Sequence, residues 1–187
     1  MKKTVIFLIA LFFIVGCKSH YSYSSSLKKE ITRVKTDIQT LKFVELYGAN
    51  IQPVDRWNFK TYLQEALKER TFVTLSSSSP NKLYITATIS PIISKKYKDV
   101  FFKVDQFHVD KSISMLSNYK VEDENRKTIV SEIYSIDTQT TEVSNNNYNE
   151  AERKHLENHS STKLHKKLMR GLAESVVRDI INERSIK

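Results

Sequence analysis

Residues 83–90 read LYITATIS, with Leu83, Ile85, Ala87 and Ile89 alternating against Tyr84, Thr86, Thr88 and Ser90. Strand side chains point to opposite faces at every second residue, so this period predicts a strand with one dry and one wet face. A sheet built from it needs a layer on the dry side, and the flanking sequence offers two. Upstream, DRWNFKTYLQEALKER (55–70) puts Phe59, Leu63, Ala66 and Leu67 at helical spacing, with Lys60, Gln64, Lys68 and Glu69 on other faces. Asp55 stands where an N-cap would accept the orphan amides of the first turn. Downstream, Leu164, Leu168, Leu172, Val176 and Ile180 recur at every fourth position beside Met169, Ala173, Val177 and Ile181. That is a broad apolar stripe on a long C-terminal helix.

Between these elements, residues 100–143 keep a period near two. Ile113, Met115, Ser117, Tyr119 and Val121 share a face, and the polar DENRK (123–127) reads as a turn into TIVSEIYSI, an antiparallel hairpin or meander. TLKFVELYG (40–48) reads as a first strand, with Leu41 and Phe43 on one face and Val44 and Leu46 on the other. Gly48 with Pro53, SSSSPN (76–81) and SNNNYNE (144–150) are breaks, and Pro91 ends the LYITATIS strand or sits on an edge. The expected fold is α+β: an antiparallel sheet of about four strands, without βαβ alternation, both amphipathic helices on one face and the other face wet or given to a partner.

The N-terminus points to a cell compartment. Lys2 and Lys3 precede an uncharged apolar run, Thr4 to Val15, then the small Gly16 and the chain's only cysteine, Cys17. About a dozen apolar residues fall short of the roughly 20 needed to span a bilayer and suit an export signal. Ile14, Val15, Gly16 and Cys17 resemble the bacterial lipobox. That resemblance implies cleavage before Cys17, a diacylglycerol on its sulfur and a fatty acid such as palmitate on its new amino group. Lys18 rather than an aspartate follows, which implies onward sorting to the outer membrane. The expected organisation is a signal over 1–16, lipidated Cys17 and a flexible tether over 17–30, including KSHYSYSSS, and one periplasmic domain over 31–187.

Composition narrows the function. The signal accounts for two of the 30 basic residues and none of the 21 acidic ones, leaving 28 against 21, a balance of +7 over 171 residues. That is basic without being the composition of a nucleic-acid binder. One cysteine excludes an intramolecular disulfide, so the fold must stand on its core. Three glycines in 187 residues leave no material for a Gly-rich phosphate loop, and no cofactor is implied.

Each chemical motif has a plainer reading beside it. HLENH (155–159) puts two imidazoles four apart on a helix, but Leu156 stands where H-E-x-x-H requires glutamate, so a surface pair is expected and not a metal site. Glu122, Asp123 and Glu124 lack the oxygen spacing of a calcium loop and read as a solvated turn. Lys95, Lys96 and Lys98 around Tyr97 form a basic stretch for anionic headgroups, with a solvated loop as the plain alternative. Trp57 on the opening turn of the first helix would close the core or, as the second choice, anchor a partner.

A lipobox, a tether, a strand, the Trp57 helix, more strands and a terminal amphipathic helix resemble the small auxiliary lipoproteins of Gram-negative lipid-transport systems, of the Pqi type. The lipoprotein that plugs the outer-membrane barrel of lipopolysaccharide assembly has a similar order. The resemblance implies a non-enzymatic, outer-membrane-anchored accessory of an envelope lipid-transport or assembly complex, held in the membrane through its lipid and docked on an envelope protein. The alternative is a lipid- or glycan-binding lipoprotein acting alone, recognisable by a deep apolar pocket.

Overall fold

A computed structural model describes residues 33–101, 104–145 and 150–182; the signal, Cys17 and the tether expected through residue 30 lie outside the described residues. The elements in chain order are β1 (Thr40–Tyr47), α1 (Pro53–Arg70), β2 (Thr74–Leu75), β3 (Lys82–Ile89), β4 (Ile93–Phe101), β5 (Val104–Glu122), β6 (Thr128–Asn145) and α2 (Glu150–Asn182).

The LYITATIS strand becomes β3, near the middle of the sheet. It pairs antiparallel with the second half of β5, joining Leu83 to Val121, Ile85 to Tyr119, Ala87 to Ser117 and Ile89 to Met115. All eight side chains are buried on the helix side. β4 continues along the same edge of β5, pairing with its first half, and β6 follows β5 for almost its whole length. The antiparallel hairpin read from residues 100–143 is therefore β5 and β6. Its turn is fastened by Asp123, whose Oδ1 accepts from the amides of Asn125 and Lys127, both at 2.9 Å.

Two expectations about the sheet are corrected. Among the described residues it has six strands where about four were expected, and it is mixed where antiparallel pairing was expected, because β1 pairs parallel with both β2 and β3. The first unit is thus β1–α1–β2, a parallel crossover of the kind the reading excluded. A period of two carries no strand direction, and two-residue β2 is too short to register as a period. β4 was missed for another reason. Its residues read as a basic stretch or a solvated loop, because a strand at a sheet's rim need not carry an apolar face.

The faces of β1 also differ from the reading. A bulge between Phe43 and Glu45 resets the alternation, so Leu41, Phe43 and Leu46 all turn toward the core while Val44 is exposed.

Both helices cover one face. Phe59, Leu63 and Leu67 of α1 and Leu164, Leu168, Leu172 and Val176 of α2 join the β3 and β5 side chains in a single core, each such side chain contributing about 1.5–3 kcal/mol by leaving water. α2 comes close to β6 at Gly171, where an added Cβ would lie 2.7 Å from the Tyr134 hydroxyl and 2.8 Å from Ile136 Cδ1. The helices run side by side in the same direction: Asp55 meets His165 and, two turns on, Arg170 lies over the Tyr62 ring at 4.8 Å. The domain therefore has two distinct ends. Residues 33–40, Thr71 and the β5–β6 turn lie at one; the N-terminus of α1 and the β4–β5–β6 extension lie at the other.

Candidate functional site

The end where α1 begins is fixed from within. Gln52 is the N-cap and Pro53 opens the helix, so Asp55 is the third helical residue, not the cap expected from the sequence. Its carboxylate reaches back, accepting from the Gln52 amide at 2.9 Å and from His165 Nδ1 at 3.0 and 3.2 Å on its two oxygens. A carboxylate only accepts, so Nδ1 carries the hydrogen. Asp55 is fully buried, which makes this pair the buried polar joint between the helices. Just before it, Gly48 has φ +138° and its missing Cβ would lie 1.8 Å from the Ala87 carbonyl oxygen.

Trp57, two residues after the joint, points outward and is 66% exposed. The expectation that it closes the core is overturned: Phe59 and Leu63 fill that space, and the helical turn that buries Asp55 and Asn58 turns position 57 to solvent. Val54 is exposed one turn earlier, and Ile93, Tyr97 and Val143 are exposed on β4 and β6 of the neighbouring extension.

The three lysines do not form one patch. Register sets Lys95 opposite Asp110, Lys96 opposite Val109 and Lys98 opposite Phe107. Strand alternation sends Lys95 to the open face and Lys96 to the helix side; the Lys98 side chain lies outside the described residues. Lys96 pairs with Glu157 of α2, and this hydrogen-bonded partner holds the Glu157 carboxyl below the usual range, against some opposing burial. Beside it, Lys111 is buried and donates to the Glu157 carbonyl and to Ser161 Oγ, the latter at 3.0 Å. Burial pulls the Lys111 amine below its ordinary value. Ser161 in turn donates to the Glu157 carbonyl at 2.9 Å. Its hydroxyl is engaged with its own helix, so the group clamps α2 to β5 and does not present a nucleophile.

At the opposite end a second polar joint binds β5 to α2. The Tyr119 hydroxyl, fully inside the core, meets Asp179 and lies 3.1 Å from Ser175 Oγ; burial first, then the Asp179 hydrogen bond, pushes the phenol well above its usual range. Arg178 donates to Asp179 at 3.1 Å and to Ser175 at 2.8 Å. Beyond the end of α1, Phe72 is 56% exposed, with the Arg33 guanidinium 5.8 Å from its ring centre.

The remaining motifs stay apart. His155 and His159 are exposed, with ring centres 6.4 Å apart, and among the described residues no group of three His, Cys, Asp or Glu side chains converges on a metal position. The Asp123 carboxylate is occupied by the hairpin amides. Sequence reasoning missed Asp55 with His165 and Lys111 with Ser161. Partners 110 and 50 residues apart leave no local period to find them by.

No protein-family model matches the chain, and no curated protein matches it in sequence. Among solved structures it is similar to a Caulobacter crescentus CB15 protein provisionally designated a lipoprotein, at TM-score 0.43 and 11% identity over 78% of this chain and 90% of that one. A Helicobacter pylori protein provisionally designated a homologue of the neuraminyllactose-binding hemagglutinin is similar at TM-score 0.46 and 10% identity, over 83% and 94%. A lipoprotein of Neisseria meningitidis gives TM-score 0.27 and 13% identity, over 67% and 96%. Two of the three bear the name lipoprotein; likeness at this level says nothing of what this chain binds.

Proposed function

We propose that this chain is a lipid-anchored envelope lipoprotein, tied to the outer membrane through Cys17 and facing the periplasm. It acts without catalysis, docking a protein of a lipid-transport or assembly complex through the end where α1 begins. The observation that carries the docking is Trp57: a large aromatic, two-thirds exposed, on a turn made rigid by the buried Asp55–His165 joint. Rigid aromatics lose little entropy on burial, and such side chains dominate interface energetics. The order of elements shared with Pqi-type accessories and the lipobox at Cys17 support the envelope setting. The alternative, solitary binding of a lipid or glycan between sheet and helices, is disfavoured by an interior already filled by Phe59, Leu63, Leu83, Ile85, Leu168 and Leu172.

A photo-crosslinking residue at position 57 in intact envelopes tests the docking. One discrete adduct is expected there, and none from position 86 on the open sheet face. Unreacted chain alone from positions 54, 57, 93 and 143 would reject it. For the anchor, Cys17→Ala should abolish fatty-acid labelling and membrane fractionation; unchanged labelling would remove that part of the reading.

A further inference from the structure

The other end of the domain holds an aromatic and cations where the chain arrives from its expected tether. Val34 bridges Thr71 in parallel, its amide donating to the Arg70 carbonyl at 2.9 Å, and the next pairing joins Thr40 to Thr74. One segment thus takes six residues where its neighbour takes three. Between the two pairings lies a groove of about 490 Å³ lined by Lys35, Thr36, Ile38, Phe72, Val73 and Thr74. Ile38 and Val73 are buried, Phe72 stands open and Arg33 lies over its ring.

We propose that this end rests on the membrane leaflet holding the Cys17 anchor. Phe72 enters the boundary between headgroups and acyl chains, while Arg33 and Lys35 meet the phosphates of anionic lipids. The proposal rests on the lipid-anchor reading above. Three observations select a bilayer as occupant. First, sixteen positions separate Cys17 from Arg33, a reach of at most roughly 55 Å, so the domain never leaves the neighbourhood of the surface and docking is intramolecular. Second, the segments 33–39 and 68–74 carry Arg33, Lys35, Lys68 and Arg70 against Asp37 and Glu69, an excess of positive charge that suits an anionic leaflet. Lys35 and Asp37 each already hold a partner, so Lys35 acts through its charge. Third, among the described residues the outer strand of the sheet here is β2, only two residues long, too short to template an added protein strand. An aromatic under a guanidinium is also a pair suited to an interface: the ring takes the apolar side while the cation stays with the phosphates.

The arrangement would orient the molecule. Trp57 lies thirteen residues before Arg70, the last residue of α1, a rise of roughly 20 Å, so the membrane end and the Trp57 end are kept apart.

The test uses two full-length proteins with a single tryptophan each: the wild type, which reports from Trp57, and Trp57→Phe combined with Phe72→Trp. Both are tethered to brominated-lipid vesicles of phosphatidylcholine, with and without phosphatidylglycerol. Mass spectrometry reports whether Cys17 is acylated; if it is free, coupling to a maleimide lipid sets the same tether, so failure of the anchor reading is distinguished from failure of this one. Quenching is expected at position 72 in anionic vesicles and not at Trp57. Arg33→Gln with Lys35→Gln should lower the docked-to-free ratio roughly fivefold per cation, the factor that about 1 kcal/mol corresponds to. No quenching at position 72 in tethered protein, equal quenching at both positions, or quenching indifferent to lipid charge would each overturn the proposal.

Discussion

The two ends of α1 each display one exposed aromatic, and the chain holds them in different ways. Trp57 follows a fully buried carboxylate shared with α2 and a glycine pressed against the β3 backbone. Phe72 follows a lighter closure. Thr71 Oγ1 donates back to the Leu67 carbonyl at 2.8 Å and accepts from the Val73 amide at 3.1 Å, with one parallel bridge to Val34 beside it. The difference is the one the two proposed surfaces call for. A docking anchor gains from a frame that cannot move, because ordering it costs little on binding. A side chain meeting a fluid bilayer needs exposure and nearby charge more than a fixed angle.

The comparison breaks most severely at Gly48. An added Cβ 1.8 Å from a carbonyl oxygen has no flexible side chain to displace, and φ +138° is a conformation other residues rarely adopt. Gly48→Ala should cost more than about 3 kcal/mol or prevent folding. Urea titration followed by circular dichroism measures it, and a midpoint close to wild type would mean that this end is not rigid.

Asp55→Ala comes next. It strands the Gln52 amide and the His165 Nδ1 hydrogen, 14% exposed at that side chain, and should cost about 3 kcal/mol. His165→Ala should cost less alone, and the double substitution should cost well under the sum of the two singles, since both remove one joint. Additive effects would show the joint to be incidental.

How much of this was legible beforehand varies with the range of the interaction. β3, α1 and α2 announce themselves because each buries one face of a regular period: Leu83 to Ile89 at two, Phe59 to Leu67 and Leu164 to Ile180 at helical spacing. Strand direction did not, since β1 finds β3 only after α1 has carried the chain back across the sheet. Nor did β4, whose Lys95, Lys96 and Lys98 look like a loop until β5 supplies hydrogen bonds along it. For the candidate sites, identifying Trp57 was possible and its direction was not: whether position 57 faced in or out depended on Asp55 being taken into the interior by His165, 110 residues away. The pairing of Arg33 with Phe72 likewise needed the parallel bridge from Val34 to Thr71.

Tyr119 sharpens the contrast from the Phe72 end. Tyr119→Phe removes the hydroxyl shared by Asp179 and Ser175 and should cost about 1.5 kcal/mol, because Arg178 still serves the carboxylate. The pH dependence has a defined sign. Burial and Asp179 keep the folded phenol protonated above its ordinary range, so above about pH 10 the unfolded chain releases a proton that the folded chain retains. Stability from this group is full below that pH and falls as pH rises beyond it. Wild-type stability should decline more steeply than that of Tyr119→Phe between neutral and alkaline pH; parallel declines would place the phenol in water.

The smallest expected effects on folding fall on the two exposed aromatics themselves. Trp57→Ala and Phe72→Ala remove side chains that contribute little to the core, and each should shift stability by no more than about 0.5 kcal/mol. Their consequences should then diverge. Trp57→Ala should abolish the partner adduct formed by a photo-crosslinking residue at position 54 while leaving the position of the domain on vesicles unchanged. Phe72→Ala should weaken vesicle docking while leaving the adduct from position 57 intact. If either substitution damaged both readouts while urea midpoints stayed at wild type, the two ends would form one continuous surface, and the division of labour along α1 would have to be abandoned.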